Sequence, residues 1–238
     1  MKTLSIIIPA YNEEKTILQV LDRIYEVKFN QVSQLQIIIV DDCSKDQTAN
    51  LLKTYQQEKP ERNIQVLQNP KNMGKGACII RGITAVDGEM VLIQDADLEY
   101  HPNDYPSLLA PLEDGVADVV LGSRFISHKP HRVLFFWHSM GNKFITFLSN
   151  MMTNLNLTDV ECGYKVFSSE IIKQLKLREQ RFGIEPEIIA KLTAIRHIRI
   201  YEVGVSYYGR TYAEGKKIGI RDGFRALYCI MKYSIFKK

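Results

Sequence analysis

The chain is poor in the features that mark many protein classes on sight. Among its 238 residues stand only four cysteines, Cys43, Cys78, Cys162 and Cys229, far apart and without a CxxC pair. That spacing argues against a disulfide framework or a cysteine-rich zinc site and fits reduced, buried thiols. No stretch approaches the roughly 18 apolar residues of a membrane-crossing helix. The opening apolar run, Leu4 to Ile8, is stopped by Pro9 and has no small-residue cleavage site, so a cytoplasmic protein is expected. Asn156-Leu157-Thr158 matches a glycosylation acceptor, but no secretory signal accompanies it. Glycine (14) and proline (8) are at ordinary levels, and no repeat, Ser/Pro linker or low-complexity segment interrupts the chain, which excludes fibrous and disordered classes. Neither GxGxxG after the first strand nor GxxxxGK[ST] occurs, against a dinucleotide-dependent dehydrogenase and a P-loop enzyme. The excess of positive charge is only +4, from 31 basic and 27 acidic residues. It admits an anionic partner without naming one; no nucleic acid is expected.

What is present is alternation. Residues 4–8, 37–40, 64–67, 90–93 and 118–121 are short apolar runs, expected as strands buried on both faces. Between them, residues 13–27 carry Ile17, Val20, Leu21 and Ile24 at helical spacing. A second helix is capped by Asp46 or Ser44, with Ala49, Leu52 and Tyr55 inward, and residues 77–86 and 104–112 read as two more. Repeated strand–helix units predict a three-layer α/β/α architecture around a mostly parallel central sheet. The second half differs. Residues 133–152 are rich in Phe, Leu and Met and read as a helix interrupted at Gly141-Asn142-Lys143. Residues 164–167 and 198–203 read as strands, with helices through Ile172 and Leu175, over 186–194, and over 223–236 after a basic loop at 209–219. One domain over residues 1–238 is expected, with a C-terminal amphipathic helical elaboration.

In open α/β sheets ligands bind beyond the carboxyl ends of the strands. Four loops there carry polar residues: Pro9-Ala10-Tyr11-Asn12-Glu13-Glu14, Asp41-Asp42-Cys43-Ser44-Lys45-Asp46-Gln47-Thr48, Asn72-Met73-Gly74-Lys75-Gly76, and Asp95-Ala96-Asp97-Leu98-Glu99. Carboxylates crowded at one edge repel one another unless a cation bridges them. Asp95-Ala96-Asp97, following the apolar Val91–Gln94 run, is the sharpest signal. Its two carboxylates can share a hard Mg2+ or Mn2+ ion that keeps positions open for diphosphate oxygens; alone, the same triplet is also a capped turn.

These four motifs, in this order, resemble family 2 glycosyltransferases of the GT-A fold. Within that group the chain is most similar to the polyprenyl-phosphate (dolichyl-phosphate) glycosyltransferases. Gly122-Ser123-Arg124-Phe125, Gly163-Tyr164-Lys165 and Arg210-x-x-x-Glu214-x-Lys216 are further matches, so the resemblance covers nearly the whole chain. It implies a nucleotide-sugar-binding half at 1–125 and an acceptor-side, membrane-facing half at 126–238. Pro9, Ala10, Tyr11 and Glu13 would line the nucleoside pocket, with Asp41 or Asp42 on the base or ribose. Gly74 and Lys75 would pack beside the nucleotide, although Gly74 also suits a plain helix-entry turn. Asp95, Ala96 and Asp97 would face the donor, Asp95 and Asp97 chelating the metal with Glu99 as third ligand. Arg124 would meet the acceptor phosphate, and Arg210 and Lys216 would clamp the diphosphate, their alternative being a solvated basic loop. Trp137, Ser139 and Asp159 fall on the acceptor side.

The implied reaction moves a hexose from a donor of the GDP-mannose or UDP-glucose type to a polyprenyl phosphate, with inversion. The acceptor is already an anion and needs no strong base, whereas the departing diphosphate needs metal, Arg or Lys. A hydroxyl acceptor would instead need a carboxylate base, a role open to Asp159 if it is not simply a cap. A catalytically silent accessory subunit of the same fold is the other alternative. The family's processive synthases carry Gln-x-x-Arg-Trp, absent here, where the only tryptophan is Trp137. Ala213 and Gly215 stand where the lipid-phosphate group usually has Gly and Ser. Phe135 or Phe136, with Arg132 upstream, stands where mannose-transferring members place a basic residue, which weakens mannose as the sugar. Leu134 to Trp137, then Phe144, Phe147, Leu148, Met151 and Met152, flanked by His131, Arg132 and Lys143, suit either a buried helix or one lying in a headgroup layer. The last helix adds Phe224, Leu227, Tyr228, Met231 and Ile235, with Arg221, Arg225, Lys232, Lys237 and Lys238. A peripheral location on the inner membrane face, on lipid or on an integral membrane partner, is expected.

Overall fold

The computed structural model describes residues 2–126, 132–133, 135–210 and 219–235. His131, Leu134, Ala213, Glu214, Gly215, Lys216, Lys237 and Lys238 lie outside the described residues. The strands are β1 (Lys2–Ala10), β2 (Val32–Asp41), β3 (Ile64–Gln68), β4 (Met90–Ile93), β5 (Val119–Ser123), β6 (Lys165–Ser168) and β7 (Ile200–Gly204). They form one sheet in the order β3-β2-β1-β4-β6-β5-β7. The helices are α1 (Ile17–Tyr25), α2 (Thr48–Glu58), α3 (Lys75–Ile83), α4 (Tyr105–Glu113), α5 (Phe136–Thr153), α6 (Ser169–Gln174), α7 (Ile184–Leu192) and α8 (Ile220–Ile235).

Leu4, Ile6 and Ile8 of β1 pack toward α1, α2 and α4, while Ile7 packs toward α3, α6 and α7. Both faces are covered, which is why this strand reads as an unbroken apolar run rather than an alternation. The three-layer arrangement is the expected one. Ile17, Val20, Leu21 and Ile24 all point into the core. On α2, Leu52 and Tyr55 are buried but Thr48 takes the inner position given to Ala49, which is half-buried. Neither candidate is the cap: Gln47 occupies the N-cap of α2 without a side-chain cap bond, while Asp46, one residue earlier, accepts through Oδ1 from the Thr48 backbone N–H at 3.0 Å and hydroxyl at 2.6 Å.

Two expectations change. Gly141-Asn142-Lys143 does not interrupt α5, which runs unbroken for 18 residues. A helix-interior glycine costs only about 1 kcal/mol, and α5 also packs against α8 and α7. Helix α8 starts at Ile220 rather than Gly223 and has two apolar stripes. Ala226, Cys229, Ile230 and Tyr233 face inward, leaving Phe224, Tyr228 and Met231 exposed.

β6 runs antiparallel to both neighbours, β4 and β5, whereas every other strand pair is parallel. Lys165 therefore sits opposite Ile93 and Leu121, at the carboxyl ends of β4 and β5. The segment entering β6 arrives at the same edge as the loops leaving the parallel strands. The order also reverses at β1, with β2 on one side and β4 on the other, which opens a crevice at that edge.

Candidate active site

The loops after β1 and β2 are stitched by reciprocal side-chain bonds. Ser44 Oγ accepts from Asn12 N, Asn12 Oδ1 from Lys45 N, Thr48 Oγ1 from Glu13 N, and Glu14 Oε2 from Gln47 N. Asp41 is buried and accepts from Ser44 N and Gln68 Nε2, so it shapes its own loop and is absent from the cleft lining. Asp42 does line the cleft and organises the next loop. It accepts from Asn69 Nδ2 (2.8 Å), Met73 N (2.9 Å) and Gly74 N (2.7 Å). Gly74 has φ of 99°, and a Cβ there would lie 2.7 Å from the Gln180 carbonyl oxygen. Glycine is needed at this helix entry on both counts.

At the end of β4 the carboxylates are neutralised by the chain's own cations. Lys75 Nζ lies 2.7 Å from Asp95 Oδ1 and 3.0 Å from Glu185 Oε1, and Glu185 pairs on its other side with the buried Lys165. Burial alone would lower the Lys75 pKa, but the Asp95 and Glu185 carboxylates hold it above its ordinary value. Arg210 reaches Asp97 Oδ2 at 2.5 Å and Glu99 Oε1 at 3.2 Å, and its backbone N–H donates to Glu99 at 2.9 Å. Burial, then the neighbouring Asp95 and Glu99 carboxylates, push the Asp97 carboxyl up to about 7 despite Arg210. Among the described residues, no three carboxylate, His or Cys side chains converge into a ready cation site. Asp95 turns to Lys75 while Asp97 and Glu99 turn to Arg210.

A Cβ on Gly163 would strike Asp95 Oδ2, so the glycine before β6 lets that carboxylate sit against the backbone. Tyr164 and Tyr105 both donate to Gln94 Oε1, at 2.8 and 2.7 Å, fixing the strand end that carries Asp95.

Arg124, just past β5, is gripped by Asp159: Nε to Oδ2 at 2.6 Å and Nη2 to Oδ1 at 2.7 Å, with its backbone N–H donating to Oδ2 at 3.0 Å. Its guanidinium also stacks over Tyr207, 5.1 Å from the ring centroid. Asp159 is fully engaged and lies behind Arg124, outside the cleft lining.

The cleft measures about 690 Å³. Pro9, Ala10, Tyr11 and Glu13 line it from β1, Gly74 and Lys75 from the α3 entry, and Asp95, Ala96, Asp97 and Glu99 from the β4 end. Arg124, Arg210 and Trp137 line it as well, whereas Ser139, half-buried on α5, does not. Lys216 lies outside the described residues. Trp137 and Phe144 of α5 and Phe224 of α8 reach the cleft while remaining 80%, 54% and 70% exposed.

Sequence reasoning missed Glu185, Tyr207 and Glu161 as lining groups, and the buried Lys165 beneath them. Glu185 is hidden in the acidic first turn of α7, which reads as an ordinary dipole-complementing helix start. Lys165 was visible only as part of a motif, and its burial against Glu185 follows from the antiparallel entry of β6.

The chain matches the profile of glycosyl transferase family 2 over residues 5–176. A dolichyl-phosphate beta-glucosyltransferase of Trichomonas vaginalis is 31% identical over 247 residues, covering 99% of this chain and 74% of its own length. A dolichyl-phosphate beta-glucosyltransferase of Dictyostelium discoideum is 32% identical, covering 90% of this chain and 68% of its own length. A dodecaprenyl-phosphate galacturonate synthase of Rhizobium johnstonii is 28% identical, covering 99% of this chain and 67% of its own length. Among solved structures, glucosyl-3-phosphoglycerate synthase of Mycobacterium tuberculosis superposes with a TM-score of 0.73 at 20% identity, covering 98% of this chain and 81% of that one, which identifies the GT-A fold. With the profile spanning most of the chain over a cleft built from its own motifs, the protein belongs to glycosyl transferase family 2 and is a glycosyltransferase.

Proposed function

We propose that the enzyme transfers a hexose, with inversion, from a nucleotide diphosphate sugar to the phosphate of a polyprenyl lipid at the cytoplasmic face of a membrane. The carrying observation is that the Asp95/Asp97 edge and Arg124 face one cleft whose rim is the exposed aromatic stripe of α5 and α8. The relatives named for dolichyl and dodecaprenyl phosphate support the same acceptor class. An oxygen of the lipid phosphate attacks the anomeric carbon as the bond from that carbon to the β-phosphate oxygen breaks. The nucleoside diphosphate leaves with the electron pair, and no proton is transferred. Arg124, preset by Asp159, binds and aims the attacking phosphate. Arg210, with Lys216, compensates charge on the leaving diphosphate. Both oxygens of Asp159 are committed to Arg124, which favours a phosphate acceptor over a hydroxyl needing a base.

Mg2+ or Mn2+ suits this site because the ligands are hard carboxylate oxygens, and burial beside Asp95 and Glu99 holds the Asp97 carboxyl above its ordinary value even with Arg210 against it. Asp95 and Asp97 would hold the ion, with Glu99 as third ligand, and it would supply charge stabilisation to the departing diphosphate. Residues 1–125 then serve the donor and 126–238 the acceptor and membrane, within one domain. Release of nucleoside diphosphate is followed with undecaprenyl phosphate, Mn2+ and a panel including UDP-glucose and GDP-mannose. Release that depends on the lipid phosphate is expected; none with any donor sinks the reading.

A further inference from the structure

Glu161 lies midway along residues 159–163, the segment that joins the two chemical ends of the cleft. At one end Asp159 holds Arg124; at the other Gly163 abuts Asp95. A sugar whose anomeric carbon passes from a diphosphate near Asp95 to a phosphate near Arg124 must lie over the middle of this segment. The other acidic groups of the cleft are each held by a hydrogen bond or an ion pair: Glu13 by the Thr16 hydroxyl, Asp42 by the loop amides, Asp95 by Lys75, Asp97 and Glu99 by Arg210, Asp222 by the Gly219 N–H, and Glu185, whose oxygens make no hydrogen bond, by ion pairs to Lys75 and Lys165. Glu161 also lines the cleft, yet its Oε1 is shut off from solvent with no hydrogen-bond partner among the described residues. A buried carboxyl oxygen left unmatched costs free energy unless something bound satisfies it.

We infer that Glu161 is a specificity-determining residue that hydrogen-bonds a hydroxyl of the transferred sugar and selects a neutral hexose over a uronic acid. The inference rests on the nucleotide-sugar reading above. The groups facing Glu161 are Glu185 from α7, Lys165 from β6, Arg124 after β5 and Asp159 on its own segment. Both nearby cations are already paired with carboxylates, so a sugar carboxylate placed here meets acidic oxygens without a free counter-charge. Burial and then Glu185 push the Glu161 carboxyl up to about 7, so it can accept from or donate to a hydroxyl near neutral pH.

The test needs no acceptor. Affinities of UDP, UDP-glucose and UDP-glucuronate, with GDP and GDP-mannose in parallel, are measured by calorimetry with Mn2+ for the wild type, Glu161→Gln and Glu161→Ala. Expected are unchanged nucleoside diphosphate binding in both variants and roughly tenfold weaker nucleotide-hexose binding in Glu161→Ala. Glu161→Gln is expected to narrow the preference for glucose over glucuronate. Variants that bind nucleoside diphosphate normally and rank the sugars as the wild type does overturn the inference. Wild type that binds neither UDP nor GDP overturns the donor reading together with it. Intact donor binding without transfer to lipid phosphate overturns only the acceptor half of the proposed function.

Discussion

Asp97 faces Arg210 at 2.5 Å, and burial, with Asp95 and Glu99 close by, raises its pKa. Replacing it by Asn removes one charge without changing shape, and turnover is expected to fall by about 10²-fold or more. Unchanged nucleoside diphosphate release would remove Asp97 from the metal assignment. Arg124 and Asp159 make the opposite kind of pair, with side chains only 13% and 0% exposed. Asp159→Asn leaves a buried guanidinium uncompensated, and a loss of about 3 kcal/mol in urea unfolding is expected. Gly163→Ala should act through Asp95, since its methyl takes space that carboxylate occupies. The methyl also crowds the buried Tyr100 ring, so the melting temperature should fall somewhat as donor turnover drops; a variant with wild-type kcat and KM would show that the Asp95 contact has no role.

Helix α8 is tied to the donor loop through Glu179. That side chain accepts from Tyr233 at 2.7 Å, Arg225 at 2.6 Å and Lys232 at 3.2 Å, and the 179–181 backbone packs on Gly74 and Gly76. Burial would raise the Glu179 carboxyl, but these three donors pull it to about 2, below the ordinary 4.5. A carboxylate with a depressed folded pKa stabilises fully above its unfolded value and loses that contribution as pH falls toward the folded one. Melting curves of wild type and Glu179→Gln should therefore differ most above about pH 5 and converge toward pH 2. A gap that stays constant with pH would assign the loss to packing.

The strands and helices of the first half were legible because each follows a local rule. Met90–Ile93 is an apolar run of strand length, and α1 repeats its apolar residues at helical spacing. The Asp95-Ala96-Asp97 edge was legible for the same reason, as a polar cluster after a buried strand. The Lys75–Glu185–Lys165 chain was not, because it joins residues 75, 165 and 185 through the antiparallel placement of β6, which no local pattern encodes. The inner stripe of α8 was also missed. Phe224, Tyr228 and Met231 dominate the helix's apolar signal, although Ala226, Cys229, Ile230 and Tyr233 are the buried ones.

For the whole molecule the main surface feature is the rim of the cleft. Trp137, Met140, Phe144, Phe147 and Met151 recur at helical spacing on α5 and are all exposed, beside the exposed stripe of α8. Among the described residues no helix is long and apolar enough to cross a membrane. An apolar face flanked by Arg225 and Lys232 suits the headgroup layer of anionic lipid. Flotation with vesicles containing phosphatidylglycerol should carry the protein upward, weakly at high salt, and Trp137→Ser with Phe144→Ser should release it without lowering its melting temperature. Equal flotation of wild type and the double variant would exclude α5 as the docking element.

The place of β6 also sets an order of assembly. Because β4 is completed by residues 165–168 rather than by its neighbour in sequence, a growing chain carries Met90–Ile93 as an unpaired apolar edge while more than seventy further residues emerge. Such an edge invites pairing with other chains. Nascent chains stopped short of β6 should thus be the ones that recruit holdase chaperones. Gly163 comes to lie against Asp95 only when that exposure ends, so the catalytic edge and the protected sheet appear in the same late step.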